Sequence, residues 1–144
     1  MNMRAHRAYA ATQRETAVSS ARPIDLVVMV YDRLLDHLRS AQLQMAAGTD
    51  PSESLTKALE LINQGLGSCL DMTRGGEIAR NLAGIYDWAS RDILRARLRR
   101  DAQLIQGVID ALQPLAQAWR QHAGLEAQAQ AQAPARPVPA PAMA

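Results

Sequence analysis

The sequence predicts an all-α protein: an antiparallel up-down-up-down four-helix bundle with a short N-terminal helical arm and a disordered C-terminal tail. The chain contains no Phe and only 3% aromatic residues, so aliphatic side chains and alanine must build its core. Apolar residues recur at alternating spacings of three and four, as on one face of a helix. Glycine, proline and aspartate mark the predicted helix ends, and the connections between them have two to four residues. Such short connections make consecutive helices antiparallel. We expect an arm over 1–22, the bundle over 23–122 and the tail over 123–144.

The first predicted helix begins near Pro23, with Asp25 in its first turn, and ends at Gly48. Its apolar stripe consists of Val27, Tyr31, Leu34, Leu38, Ala41 and Met45. Three further apolar residues widen that stripe, so this helix should contact two neighbours.

The second predicted helix opens at Asp50 and Pro51 and continues to about residue 70. Its seam is Leu55, Leu59, Ile62, Leu66 and Cys69 or Leu70. Gly65 and Gly67 fall inside it, where each costs about 1 kcal/mol relative to alanine. These glycines indicate either the close approach of another helix or tolerated surface positions.

The third predicted helix starts after the pair Gly75-Gly76 and runs from about Glu77 to Arg97. Its expected apolar face comprises Ile78, Leu82, Ile85 and Ala89. Tyr86 and Trp88 are two positions apart, so at least one of them must lie outside the core.

The fourth predicted helix is capped by Asp101, and its seam runs to Trp119. From Ala123 onward, repeated Ala-Gln and then four prolines predict a low-complexity tail without a core. At the other end of the chain, the basic segment 1–22 should form an arm that docks on the bundle.

Composition and spacing argue against most kinds of chemistry. His6, His37 and His122 lie in three different segments, and none has a Glu three residues before it, as a di-iron bundle would require. Asp32, Asp36 and His37 are explained more simply by a solvated charged face than by acid–base catalysis. We therefore expect no enzyme activity, metal or cofactor.

Location and nucleic-acid binding can also be addressed from the sequence. The N-terminal segment lacks a signal-peptide pattern, and no apolar run approaches the ~20 residues of a bilayer span, so cytoplasmic localisation in the cytosol is expected. Five arginines between 91 and 100 suit a helix C-terminus, and no aromatic residues interleave with them for base stacking. We expect no binding to nucleic acid and no membrane insertion.

Several short motifs, in a fixed order, resemble one known family. In chain order they are Ala8-Tyr9, Pro23-x-x-Leu26-x-x-Met29-Val30-Tyr31-Asp32, Lys57-Ala58, Gly75-Gly76-Glu77-Ile78-Ala79-x-Asn81-Leu82, Ile85-Tyr86-Asp87-Trp88, Asp101-Ala102 and Trp119. Over roughly residues 5–121 the chain resembles the FliS family of flagellin-specific export chaperones. It departs from the family's usual Ser or Thr before the first proline, because Arg22 stands there.

The resemblance implies a cytosolic chaperone for flagellin. It would bind flagellin's disordered C-terminal segment, prevent premature polymerisation and deliver flagellin to the flagellar type III secretion apparatus. The alternative is a regulatory adaptor that binds an anti-sigma factor or another flagellar component. Either protein would be a monomer or a weak homodimer.

The resemblance also implies which residues face the client. The arm around Tyr9 is expected to cover part of the binding surface and to move aside. The predicted partner-binding residues are Tyr9, Leu26, Met29, Val30, Gly65, Ile78, Leu82 and Tyr86.

Overall fold

The computed structural model describes residues 22–67, 70 and 75–132. Its helices are α1 (Pro23–Ala46), α2 (Ser52–Glu60), α3 (Gly76–Arg99) and α4 (Ala102–Gln132). A π-helical segment, Leu61–Leu66, continues α2 without a break. Tyr9 and Cys69 lie outside the described residues.

The described helices form the predicted antiparallel bundle. α1 packs between α2 and α4, and α3 packs between α4 and the α2–π-helical segment, so α1 and α3 lie diagonally across the core. The largest fully buried side chains are Tyr31, Leu34, Leu38, Leu55, Ile62, Ile93, Ile105 and Leu112. The core is therefore almost wholly aliphatic, as the absence of Phe requires.

The two corners at one end of the bundle are built from helix-stop and helix-cap residues. Gly48 ends the α1 corner with φ +73°, and Asp50 Oδ1 accepts a hydrogen bond of 3.0 Å from Ser52 N. Arg100 closes α3 in the left-handed conformation (φ 53°, ψ 47°). Asp101 Oδ1 then accepts a 2.9 Å bond from Gln103 N, which confirms Asp101 as the predicted cap.

The prediction of a disordered tail from Ala123 is wrong for its first ten residues, because α4 continues to Gln132. Ala and Gln are good helix formers, and extending an existing helix costs no new nucleus. Arg22 adds a tertiary contact, since its Nη2 donates to the Ala123 carbonyl at 3.3 Å. The same guanidinium pairs with both oxygens of Asp25 at 2.8 and 2.9 Å, in place of a side-chain cap on α1.

The predicted second helix changes from α-helical to π-helical geometry where it meets α1. A Cβ added to Gly65 would lie 3.0 Å from Val30 Cγ1, a distance shorter than nearly all real Cβ contacts. Gly65 therefore permits the close approach of α1, which settles the choice between the two explanations for this glycine. The π-helical segment holds it there, and such segments often occur at functional sites.

The predicted apolar face of α3 overlaps only in part with the buried face that the structure shows. Ala89 is fully buried, but Leu82 and Ile85 are half-buried and Ile78 is 72% exposed. The buried seam instead comprises Ala79, Tyr86, Ala89, Ile93 and Ala96. Tyr86 is buried and Trp88 is partly exposed, which confirms that the two point in different directions.

Candidate functional site

Two apolar grooves adjoin at the end of the bundle where α1 and α3 begin. The α1 groove, about 460 Å³, is lined chiefly by Ile24, Leu26, Val30, Gly65 and His122. The α3 groove, about 200 Å³, is lined chiefly by Leu70, Ile78, Ala79, Leu82 and Tyr86. Both are concave apolar surfaces of the kind that receives apolar side chains from a partner helix.

Three residues form the wall between these grooves. Val27 of α1, Leu66 of the π-helical segment and Trp119 of α4 line both of them. Trp119 packs against the core cluster and is only half-buried, so one part of its indole remains at the surface. Because both grooves share this wall, they form one continuous surface. We call the wall the Trp119 ridge.

Beneath the ridge, the side chains of Tyr31 and Tyr86 form a buried polar pair. The hydroxyls of Tyr31 and Tyr86 are 2.6 Å apart and share a hydrogen bond. Burial raises the pKa of Tyr31 above its ordinary value of 10.0, while the hydrogen bond with Tyr86 opposes that rise. The bond between the two hydroxyls satisfies polar groups that would otherwise be costly to bury.

Charged residues border the apolar surface on α1 and α4. Arg120 pairs with Asp32, and His122 Nε2 lies 3.6 Å from Glu126 Oε1. The Arg22 side chain holds the pKa of Asp25 below its ordinary value, chiefly through their hydrogen bond. The Arg120–Asp32 pair joins α4 to α1, whereas the other two contacts lie within one helix or at its start.

Most of the predicted partner-binding residues lie on these grooves. Leu26, Val30 and Gly65 line the α1 groove, and Ile78, Leu82 and Tyr86 line the α3 groove. Met29, which is about half exposed, lines neither groove. Tyr9 lies outside the described residues, and the roles of all eight in binding stay predictions.

The wall residues Val27, Leu66 and Trp119 are absent from the predicted partner-binding set. Each falls on the predicted apolar seam of its helix, so the sequence indicates burial for all three. A tryptophan near the end of a helix in a chain so poor in aromatics was the available signal, since tryptophan is enriched at binding hot spots.

Two other properties of the described segments bear on the kind of site. Nowhere in them do three or more His, Cys, Asp or Glu side chains come together as a metal ion would require. None of the helices found there combines the length and apolarity needed to cross a lipid bilayer.

Comparisons with known proteins agree with one another. The model of the family described as flagellar protein FliS matches residues 5–126. A flagellar secretion chaperone FliS from Salmonella typhimurium is 42% identical over 117 residues, covering 80% of this chain and 87% of the relative. The Escherichia coli K12 protein of the same name is 34% identical over 116 residues, covering 79% and 85%.

A solved structure supports the fold independently of close sequence identity. It is described as the crystal structure of a flagellar chaperone from bacteria, and it superposes with a TM-score of 0.65 at 22% identity. The match covers 81% of this chain and 97% of the solved chain.

Proposed function

The chain belongs to the FliS family of flagellar proteins, and we propose that it is the export chaperone that binds the disordered C-terminal segment of flagellin. It holds that segment in the cytosol, prevents premature polymerisation and delivers flagellin to the flagellar type III secretion apparatus. The names of its relatives support a secretion chaperone rather than an enzyme.

The observation that carries this proposal is the continuous apolar surface formed by the α1 and α3 grooves. A disordered segment with amphipathic helical patterns would place its apolar side chains on both sides of the Trp119 ridge. Fully burying one leucine or similar side chain is worth about 1.5–3 kcal/mol, so a few anchors would offset the cost of ordering the client.

The direct test is calorimetric titration with a peptide spanning about 40 C-terminal residues of flagellin from the same organism, alongside circular dichroism. Coupled folding predicts binding near 1:1, a negative heat-capacity change and a gain of helix. Absence of binding at tens of micromolar would refute the proposal for this client.

A matched pair of variants places the client on the grooves. Leu82→Ala removes part of the α3 groove and should weaken binding by about 1–3 kcal/mol, as for a central interface residue. Leu43→Ala makes the same change at an exposed position that lines neither groove and should leave affinity unchanged. Equal affinities for the two variants would place the client elsewhere on the protein.

A further inference from the structure

A second surface lies at the opposite end of the bundle from the grooves. It is a cleft of about 530 Å³ between the α1–α2 corner and the end of α3, lined by Met45, Pro51, Asp50, Arg97, Leu98 and Arg100. Along α3, Leu98 is twenty residues beyond Ile78, which corresponds to about 30 Å at the helical rise. We call this surface the distal cleft.

The arginines in the last turns of α3, of which Arg97 and Arg100 line the distal cleft, are only partly neutralised by the described residues. Arg91 pairs with Asp87 at 2.9 Å, and Arg95 pairs with Asp92 at 3.2 Å. Arg97, Arg99 and Arg100 have no carboxylate within 4.0 Å among the described residues. Asp50 has a lowered pKa, chiefly because Ser52 bonds to its carboxylate, with smaller contributions from Arg97 and Arg100.

Two leucines interrupt this basic surface. Leu98, which is 85% exposed, lines the distal cleft, and Leu94, which is 46% exposed, lies outside its lining one helical turn earlier on α3. The helix dipole explains arginines at the end of α3, but it does not explain exposed leucines between them. Exposed apolar side chains rimmed by charge are a feature of protein interaction surfaces.

We propose that the distal cleft docks an acidic amphipathic helix of a second protein. Leucine-type residues one turn apart on that helix would pack on Leu94 and Leu98, and its flanking carboxylates would pair with Arg97 and Arg100. A polyphosphate backbone would use the cations but not the leucines, and no aromatic residue lies between 91 and 101 for base stacking.

The separation of the two surfaces has a consequence for the chaperone. A protein bound at the distal cleft leaves the grooves open, so client and second partner bind at the same time. Simultaneous binding rests on the proposed flagellin site, whereas docking at the distal cleft does not.

The probe for this test is a dye-labelled 18-residue peptide with leucines at helical i, i+4 spacing and glutamates beside them. Its control is an isomer of equal composition with the leucines distributed around the helix. Fluorescence anisotropy with the full-length protein should show the amphipathic peptide binding at least about tenfold more tightly than the isomer. Equal affinities would overturn the proposal, because charge alone would then explain binding.

Variants of the protein locate the peptide. Leu98→Ser, and separately Arg97→Gln with Arg100→Asn, should each weaken binding by about tenfold or more. Asparagine tolerates the left-handed conformation that position 100 adopts. The matched controls are Leu125→Ser, at another exposed leucine of 64% exposure, and Arg33→Gln with Arg39→Gln, and they should bind as the unchanged protein does.

Three further results would contradict the proposal. These are equal weakening by control and cleft variants, tighter binding of an 18-nucleotide single-stranded DNA than of the peptide, and displacement of the acidic peptide by the flagellin peptide. Unchanged thermal melting and unchanged flagellin-peptide affinity in the cleft variants would show that they fold. A protein that binds the acidic peptide but not the flagellin peptide would refute the proposed function and leave this inference standing.

Discussion

The hydroxyl oxygens of Tyr31 and Tyr86 lie 2.6 Å apart in the core and join α1 to α3 across the diagonal of the bundle. The two rings are tilted by 58° with centroids 6.5 Å apart, so they also pack against each other. Because Tyr86 lines the α3 groove, this pair connects the floor of that groove to α1.

The losses of stability caused by removing the two hydroxyls singly should not add up to the loss caused by removing both. Tyr31→Phe or Tyr86→Phe removes the hydrogen bond between the two hydroxyls, and each should lower the free energy of unfolding by about 0.5–1.5 kcal/mol. The double variant should lose less than the sum of the two single losses, because both single changes remove the same hydrogen bond. Urea denaturation of the four proteins measures this coupling, and strict additivity would show that the bond contributes nothing.

Alkaline pH should destabilise the protein through Tyr31. Its pKa is raised in the fold, so the unfolded chain loses the phenol proton at a lower pH than the folded chain. The stabilisation is therefore complete below pH 10 and is lost as pH rises through the folded pKa. Melting temperatures from pH 8 to 11 should fall less steeply for Tyr31→Phe than for the unchanged protein, and parallel curves would contradict this assignment.

Two glycine substitutions should differ in effect because only one glycine touches another helix. Gly84→Ala, at an exposed position of α3 with nothing within 4 Å, should stabilise the protein by up to about 1 kcal/mol. Gly65→Ala should stabilise the protein less than this, or destabilise it, because the added Cβ would lie 3.0 Å from Val30 Cγ1.

Chemical denaturation compares these two variants, and Val30→Ala provides the control. In that background the crowding at position 65 is relieved, so Gly65→Ala should become more favourable. An unchanged effect would mean that Val30 does not limit the space at Gly65.

Loss of the Arg22 side chain should loosen the last turns of α4. Arg22→Ala removes the donor to the Ala123 carbonyl and the partner of Asp25. Amide hydrogen exchange over residues 123–132 should then become faster, while exchange in the middle of α4 stays the same. Arg33→Ala, which removes an exposed arginine of α1, is the control and should change neither region.

The fold could be predicted because helix boundaries and helix periodicity both depend on residues that are close together in the sequence. Gly48, Asp50 and Asp101 mark corners by their own backbone or side-chain chemistry. The predicted face of α3 is wrong at Ile78, which is exposed, whereas Ala89 is fully buried and Leu82 and Ile85 pack against the core. Ala79, Ala89 and Ala96 fill the crowded interior between helices, whereas Ile78 extends outward to the α3 groove.

Other features depend on contacts that are distant in sequence. The continuation of α4 past Ala123 is supported by Arg22, a hundred and one residues earlier. The role of Gly65 depends on Val30 of another helix, and the Trp119 ridge exists only once three helices have packed. Sequence periodicity places each residue on a face, but it does not say which faces leave a groove between them.

The most direct test of the account uses Trp119 as a reporter at the centre of the proposed client surface. In a Trp88→Phe variant, Trp119 is the only tryptophan. Titration with the flagellin C-terminal peptide, itself free of tryptophan, should shift its emission to shorter wavelength and reduce its quenching by acrylamide, saturating near one peptide per protein. Calorimetric binding of the same peptide with no change in Trp119 emission or quenching would contradict the claim that flagellin occupies the grooves.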